Sequence, residues 1–174
     1  MTERHKQLFG ACFETGFGKM MAVVNEIGEL CLLYFIGSEE QGMIEAAKTF
    51  PGASIDWNSE RCTIVIRQLR EYFAGERKEF DFPISFGGTQ FQNEVWRELA
   101  KIPYGRTISY GELAARIGRP KASRAVGAAN GANRIAVALP CHRVIGANRK
   151  LTGYAYGVDT KEKLLALEQG RMIY

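Results

Sequence analysis

No apolar run in the 174-residue sequence approaches the ~18–20 residues a membrane span needs; the longest, Leu30 to Ile36, is far too short. The first residues, Met1 to Gln7, lack the apolar core of a signal peptide. The four cysteines (Cys12, Cys31, Cys62 and Cys141) are scattered and form no CxxC pair. With no export signal, the expectation is a cytoplasmic protein whose thiols are reduced. Only two histidines occur, His5 and His142, so a His-rich metal site is not expected, and no metal is assigned. Internal repeats and low-complexity segments are also lacking. What is there is ordinary: 46% apolar and 24% charged residues, the balance of a globular chain with one mid-sized or two small cores. Disordered, collagen-like and disulfide-scaffold classes are excluded.

The overall charge of +4 hides a split. Residues 1–85 carry 9 Lys and Arg against 13 Asp and Glu, a net −4, whereas residues 86–174 carry 14 against 6, a net +8. A basic second half suggests a polyanionic partner, most plausibly nucleic acid, with an unevenly charged surface as the alternative.

Coarse patterning predicts a mixed α/β (α+β) chain. Lys19 to Asn25 and Leu30 to Ile36 read as two strands joined by the turn Glu26 to Glu29. Glu39 to Phe50 reads as a helix stopped by Pro51-Gly52. Arg61 to Ala74 reads as an amphipathic helix burying Ile64, Ile66, Leu69, Tyr72 and Phe73 and ending at Gly75. Phe80 to Ile84 reads as a last strand. This half looks like scaffold, and Cys12, Cys31 and Cys62 are expected in its core or at its edge. Gly87-Gly88 marks the expected boundary between a domain over 1–87 and one over 88–174.

Beyond it, Thr89 or Gln90 opens a helix with Phe91, Val95, Trp96 and Leu99 on its buried side. Ser109 is placed to cap a helix through Ile117, Gly118-Arg-Pro120 breaks it, and Ser123 to Ala132 forms another. Helix, tight turn, helix is the helix-turn-helix pattern, and Arg116, Arg119, Lys121 and Arg124 around it favour contact with DNA. Ile135 to Ile145 then delivers Pro140, Cys141, His142 and Arg143 between apolar residues. A thiol is a nucleophile only as thiolate, which needs a base or positive charge nearby; His142 and Arg143 are candidates for both.

The run Pro140 to Val144 resembles the Pro-Cys-His-Arg-Val motif of the O6-alkylguanine-DNA alkyltransferase family. Arg106 to Ala114 resembles the family's segment opening the helix-turn-helix, Ser123 to Gly127 its recognition helix, and Asn133 its asparagine hinge. Gly146 to Asn148 with Leu151 to Ala155 resembles the binding loop, and Lys161 to Glu168 the closing helix. The resemblance covers roughly residues 89–170. It implies a ribonuclease H-like N-terminal scaffold and a winged-helix-like, DNA-binding and catalytic C-terminal domain.

The function implied is direct reversal of DNA damage. Cys141 takes an alkyl group from guanine O6, or from thymine O4, once and irreversibly, with no cofactor. The expected partner is double-stranded DNA containing O6-alkylguanine, bound by a monomer with no membrane and no obligate protein partner. By resemblance, His142 takes the thiol proton through a water, Glu168 orients His142, Tyr110 donates to the departing purine, and Asn133 holds the turn before the active segment. The implied DNA contacts are Arg124, which fills the stack vacated by the flipped base, with Tyr110, Ser123, Ala125, Arg116 and Lys121. The implied pocket is Pro140, Val144, Tyr154, Ala155, Tyr156 and Lys161. Where the family usually has two glycines, this chain has Tyr156-Gly157, and the Tyr156 ring is expected to close one wall of the pocket rather than swing to solvent. Two other classes fit the residues less well. A base-flipping sensor lacks the reactive cysteine that is present here, and a Cys-His hydrolase needs an oxyanion hole that nothing in the sequence indicates.

Overall fold

A computed structural model of the protein describes residues 6–172, so His5 lies outside the described residues. The chain is mixed α/β and divides into two compact units between Ser85 and Phe86. No helix among the described residues is long and apolar enough to cross a membrane.

The first unit is built on a four-stranded sheet in the order β3-β2-β1-β4, from β1 (Gln7–Thr15), β2 (Gly18–Asn25), β3 (Leu30–Phe35) and β4 (Ser54–Asp56). The first three form an antiparallel meander, and β4 joins β1 in parallel after the helix α1 (Glu39–Thr49). Both strands of the expected hairpin are present, joined through a turn that Asn25 closes by accepting from the Glu29 and Ile27 amides. Sequence patterning passed over β1 because Gly10, Ala11 and Cys12 interrupt it with small side chains. Gly10 is there for contact: a Cβ at that position would lie 2.6 Å from the Trp57 ring.

Two expectations need correction. The helix α2 (Thr63–Phe73) follows a 3-10 turn at Ser59–Cys62 and buries Val65, Gln68, Leu69 and Tyr72, while Ile64 is left 54% exposed. Gln68 can be buried because its amide donates to the Asp81 carboxylate and its carbonyl accepts from the Asp81 amide. Phe80 to Ile84 is not a strand. It touches the sheet through a single parallel bridge, Leu30 with Ile84, and Pro83 has no N–H with which to extend a ladder.

The second unit carries α3 (Gln90–Leu99), β5 (Ile108–Ser109), α4 (Tyr110–Arg116), α5 (Ser123–Gly131), β6 (Val144–Ile145) and α6 (Val158–Glu168). α3 and α4 each start with a complete capping box, Thr89 with Gln92 and Ser109 with Glu112, so the N-cap and N3 amides of both helices are bonded by their own side chains. α3 is tied to α5 by the Trp96 indole, which donates to the Ala129 carbonyl at 2.8 Å. Gly118, at φ 74°, makes the tight turn between α4 and α5 that a side chain would disfavour. Two-residue strands β5 and β6 pair in parallel and bring the start of α4 beside the segment that follows Cys141.

Replacing the α3 cap, Thr89→Ala, should cost about 1 kcal/mol by losing the bond to the Gln92 amide. The check is a denaturant-unfolding midpoint that falls with an unchanged slope.

Candidate active site

Cys141 sits on a 3-10 turn, Cys141–Arg143, at the base of a cavity of about 370 Å³. The thiol residue is only 6% exposed. Around it stand Tyr110 from α4, Gly127, Asn130 and Gly131 from α5, Asn133, and the loop residues Thr152 to Tyr156.

The approach to the cysteine is irregular and tightly held. Val137 has φ 70° and Pro140 φ −80° with ψ 64°; the Ala138 amide donates to Ala136 O and the Cys141 amide to Leu139 O, both at 2.8 Å. These are two γ-turns, and the first holds a buried β-branched residue in a conformation such residues avoid. Asn133 keeps the segment in this shape. Its Nδ2 donates to Leu139 O at 2.8 Å and Ile135 O at 3.3 Å, and its Oδ1 accepts from the Ile135 amide at 3.0 Å. Strain of this kind persists only where surrounding contacts over-determine the backbone.

Behind the thiol, His142 is fully buried and its Nε2 lies 2.7 Å from Glu168 Oε1. Arg143 grips the same carboxylate with two bonds, Nε to Oε2 at 2.9 Å and Nη2 to Oε1 at 2.8 Å, and its Nη1 donates to Ile102 O at 2.6 Å. The Gly105 amide donates to Oε2 at 3.3 Å. Burial alone would raise the Glu168 carboxyl, but the His142 and Arg143 bonds prevail and hold it well below the usual carboxylate range. Burial lowers the His142 imidazole, against the opposing pull of Glu168, so the ring is neutral at rest. Glu168 as an ionised acceptor then places the ring proton on Nε2 and leaves Nδ1 bare.

Burial also raises the Cys141 thiol, opposed by the Asn133 side chain, by Lys161 and by nearby backbone groups. The resting residue is therefore a thiol, and deprotonation has to accompany reaction. Sequence reasoning offered Arg143 as the positive charge beside it. The structure commits Arg143 to Glu168 and Ile102, and the cation that favours the thiolate is Lys161.

Of the six expected pocket residues, Tyr154, Ala155 and Tyr156 line the cavity, and the Tyr154 and Tyr156 rings meet edge to face at 5.4 Å. Pro140, Val144 and Lys161 are buried but stand off its wall. Lys161 instead donates to Val144 O at 2.6 Å and Thr152 O at 3.0 Å, bracing the loop against β6, because a buried ammonium must be fully bonded. Tyr110 both lines the cavity and donates to Thr152 O over a long 3.4 Å. Arg116, Lys121, Arg124 and Ala125 are exposed along α4, the turn and α5, with Ser123 half-buried. Arg119 is engaged with Glu94 at 3.3 Å and lies over the Phe91 ring. Sequence reasoning missed Asn130 and Gly105. Asn130 lies three residues before Asn133, a second asparagine among small residues, and that pairing was the available signal. Gly105 carried none beyond its turn.

Because the folded carboxyl of Glu168 lies below the unfolded value of about 4.3, its contribution to stability is complete above that pH. It is withdrawn as pH falls toward the folded value. Glu168→Gln should lower stability by roughly 3–5 kcal/mol at neutral pH, since Arg143 is left buried without its counter-ion. The gap to the parent should narrow as pH falls below about 4, where the unfolded carboxylate takes up its proton while the folded one stays ionised, so that the stabilisation is withdrawn step by step. Melting temperatures of both proteins across pH test this; a gap that widens on acidification contradicts it.

A family model for the DNA-binding domain of 6-O-methylguanine DNA methyltransferase matches residues 90–170. The methylated-DNA–protein-cysteine methyltransferase of Methanosarcina acetivorans is 48% identical over 161 residues, covering 92% of this chain and 98% of that protein. An inducible enzyme of the same name from Bacillus subtilis is 44% identical over 141 residues, 79% of each chain. Among solved structures, the Mycobacterium tuberculosis O6-methylguanine methyltransferase superposes with a TM-score of 0.80 at 39% identity, covering 95% of each chain. The M. tuberculosis OGT in complex with DNA gives 0.79 at 39% identity over 94% of each chain. With its thiol turn, braced loop and two-unit chain matched almost end to end, this protein belongs to the 6-O-methylguanine DNA methyltransferase family.

Proposed function

We propose that the protein repairs DNA by moving an alkyl group from guanine O6 to Cys141, irreversibly and once per molecule. The observation that carries this reading is a buried thiol at the base of an open cavity, backed by a neutral imidazole whose far nitrogen is held by an ionised carboxylate. His142 Nδ1 takes the thiol proton through a water and becomes imidazolium, stabilised by Glu168. The thiolate attacks the alkyl carbon, a C–S bond forms, and the C–O6 bond breaks with its electron pair left on guanine. Tyr110 supplies a proton toward the purine; its long bond to Thr152 O is weak enough to exchange for the base. No cofactor enters the balance, and nothing restores the thiol. Thymine O4 offers the same chemistry.

The base must leave the duplex to reach the cavity, which costs a few kcal/mol. Arg124, exposed on α5, is the residue we assign to fill the gap, and the small residues Ala125 and Gly127 suit a close approach of the helix to a minor groove. Arg116, Lys121 and Ser123 supply backbone contacts suited to any sequence. The meander with a parallel fourth strand supports a ribonuclease H-like scaffold over the first unit. The helices α3 to α5 with the small β5–β6 sheet support a winged-helix-like, DNA-binding second unit. We assign a monomer acting in the cytoplasm on duplex DNA that carries O6-alkylguanine.

Intact mass after mixing with a duplex containing O6-methylguanine should rise by one methyl, located on Cys141. Cys141→Ser should show no gain while binding the duplex nearly as well as the parent, since the basic residues remain. A methylated serine variant, or a stable parent complex with unchanged mass, sinks the proposal.

Tyr156 lines the cavity beside Tyr154, and in this reading its ring limits the room for large alkyl groups. Tyr156→Gly should therefore react with O6-benzylguanine markedly faster, about tenfold, while methyl repair changes little, because alignment of thiolate and carbon is what the ring obstructs. Equal benzylguanine rates in parent and variant would show that the ring does not gate the pocket.

A further inference from the structure

Among the described residues, three buried side-chain polar atoms have no hydrogen-bond partner: Asn130 Oδ1, His142 Nδ1 and Tyr154 Oη. Asn130 and Tyr154 line the same cavity as Cys141, and His142 is the next residue in the chain. Asn130 is 5% exposed and reaches the site from the last turn of α5. Its Nδ2 faces Cys141 O at 3.4 Å. Turning the amide over would set two oxygens against each other, so the unpartnered atom is the oxygen, an acceptor. His142 Nδ1 is an acceptor too, because Nε2 carries the ring proton toward Glu168. Two buried acceptors thus stand near one thiol, which has a single hydrogen and is a weak donor. A water, with two hydrogens and two lone pairs, has the two donors and the acceptor that these three groups call for.

We infer that Asn130 is a positioning residue for activation of Cys141: its side-chain oxygen holds one hydrogen of the relay water, which turns the other hydrogen to His142 Nδ1 and a lone pair to the thiol. In the step, the S–H bond breaks and its proton passes to the water oxygen. The water's hydrogen passes to Nδ1, the water is regenerated, and the electron pair stays on sulfur. The inference deepens the proposed alkyl transfer and rests on it. Without Asn130 the water turns freely about its bond to His142, and its lone pair faces the thiol only part of the time.

The titratable and charged groups around the thiol and imidazole are Lys161 and Glu168 from α6, Arg143 beside His142, Tyr110 from α4, and Tyr154 and Tyr156 from the loop. Variants at Asn130 leave all of them in place. Both variants lose the Nδ2 bond to Cys141 O; Asn130→Leu keeps the volume and removes the acceptor, whereas Asn130→Ala opens room for a second water to take the oxygen's place. In the full chain, free of DNA, the rate of Cys141 alkylation by iodoacetamide is read by peptide mass from about pH 6 to 11, which spans the ordinary thiol range. Methyl transfer from an O6-methylguanine duplex is followed in parallel. Asn130→Leu should react about tenfold more slowly near pH 7, within the range of a proton-transfer effect, and converge on the parent once bulk base ionises the thiol. Asn130→Ala should recover part of that loss although it removes more packing. A deficit that is constant across pH, no deficit, or an Ala variant no faster than Leu overturns the assignment. Should the Leu variant fail to fold, the Ala variant decides alone, by whether its deficit shrinks as pH rises. A parent that gains no methyl from the duplex overturns the transfer reading instead, while the iodoacetamide profiles still decide the role of Asn130.

Discussion

The Glu168 carboxylate is where the second unit's chemistry and its architecture meet. Both of its oxygens are occupied: Oε1 by His142 and Arg143, Oε2 by Arg143 and the Gly105 amide. A carboxylate so bonded is held ionised even when buried, and one held ionised fixes the tautomer of the histidine beside it. The same four bonds join the end of α6 to the 3-10 turn that carries Cys141 and to the loop before β5. Gly105 is required in this arrangement: it adopts φ 76°, and a Cβ there would lie 3.0 Å from the Glu168 carbonyl oxygen.

A thiol that is to react once needs protection before its substrate arrives and activation after. Burial supplies the first by pushing the thiol pKa up, which suppresses the thiolate that adventitious electrophiles would consume. Activation is then a matter of pre-placed groups rather than a standing charge. A neutral imidazole can accept the proton, Asn133 and Lys161 favour the thiolate as it forms, and Glu168 favours the imidazolium. The strained Val137 turn fits this economy, since the backbone is forced to present the cysteine at the cavity base.

Much of this was legible in the sequence, for reasons that can be stated residue by residue. The capped helices α3 and α4 were readable because Thr89 and Ser109 each precede a Gln or Glu by three residues, a local signal that needs no tertiary knowledge. The hairpin was readable from two apolar runs around a short turn. β1 was not, because its small residues make room for Trp57, a partner 47 positions away that no local window contains. Ile64 misled for a similar reason: the buried face of α2 is set by Gln68 and its bonds to Asp81, and a polar residue is not counted in an apolar pattern. At the site, Cys141 and its base were marked by adjacency in the chain. The pairing of Lys161 with carbonyls 17 and 9 residues away was not, and the lysine was placed in the pocket rather than behind it.

Position behind the pocket gives Lys161 two tasks through one charge. Its ammonium ties the binding loop to β6 through Val144 O and Thr152 O while its field lowers the cost of thiolate. Thr152 O also accepts from Tyr110, so a single carbonyl links the cation that favours the nucleophile to the phenol assigned to the leaving group. In the proposed transfer Tyr110 gives up that bond to a purine, and the carbonyl keeps its stronger partner, the ammonium, so the loop stays braced. On that proposal, donor exchange at Thr152 O lets the phenol act without loosening the loop wall, so a weak bond at this one position is the useful one.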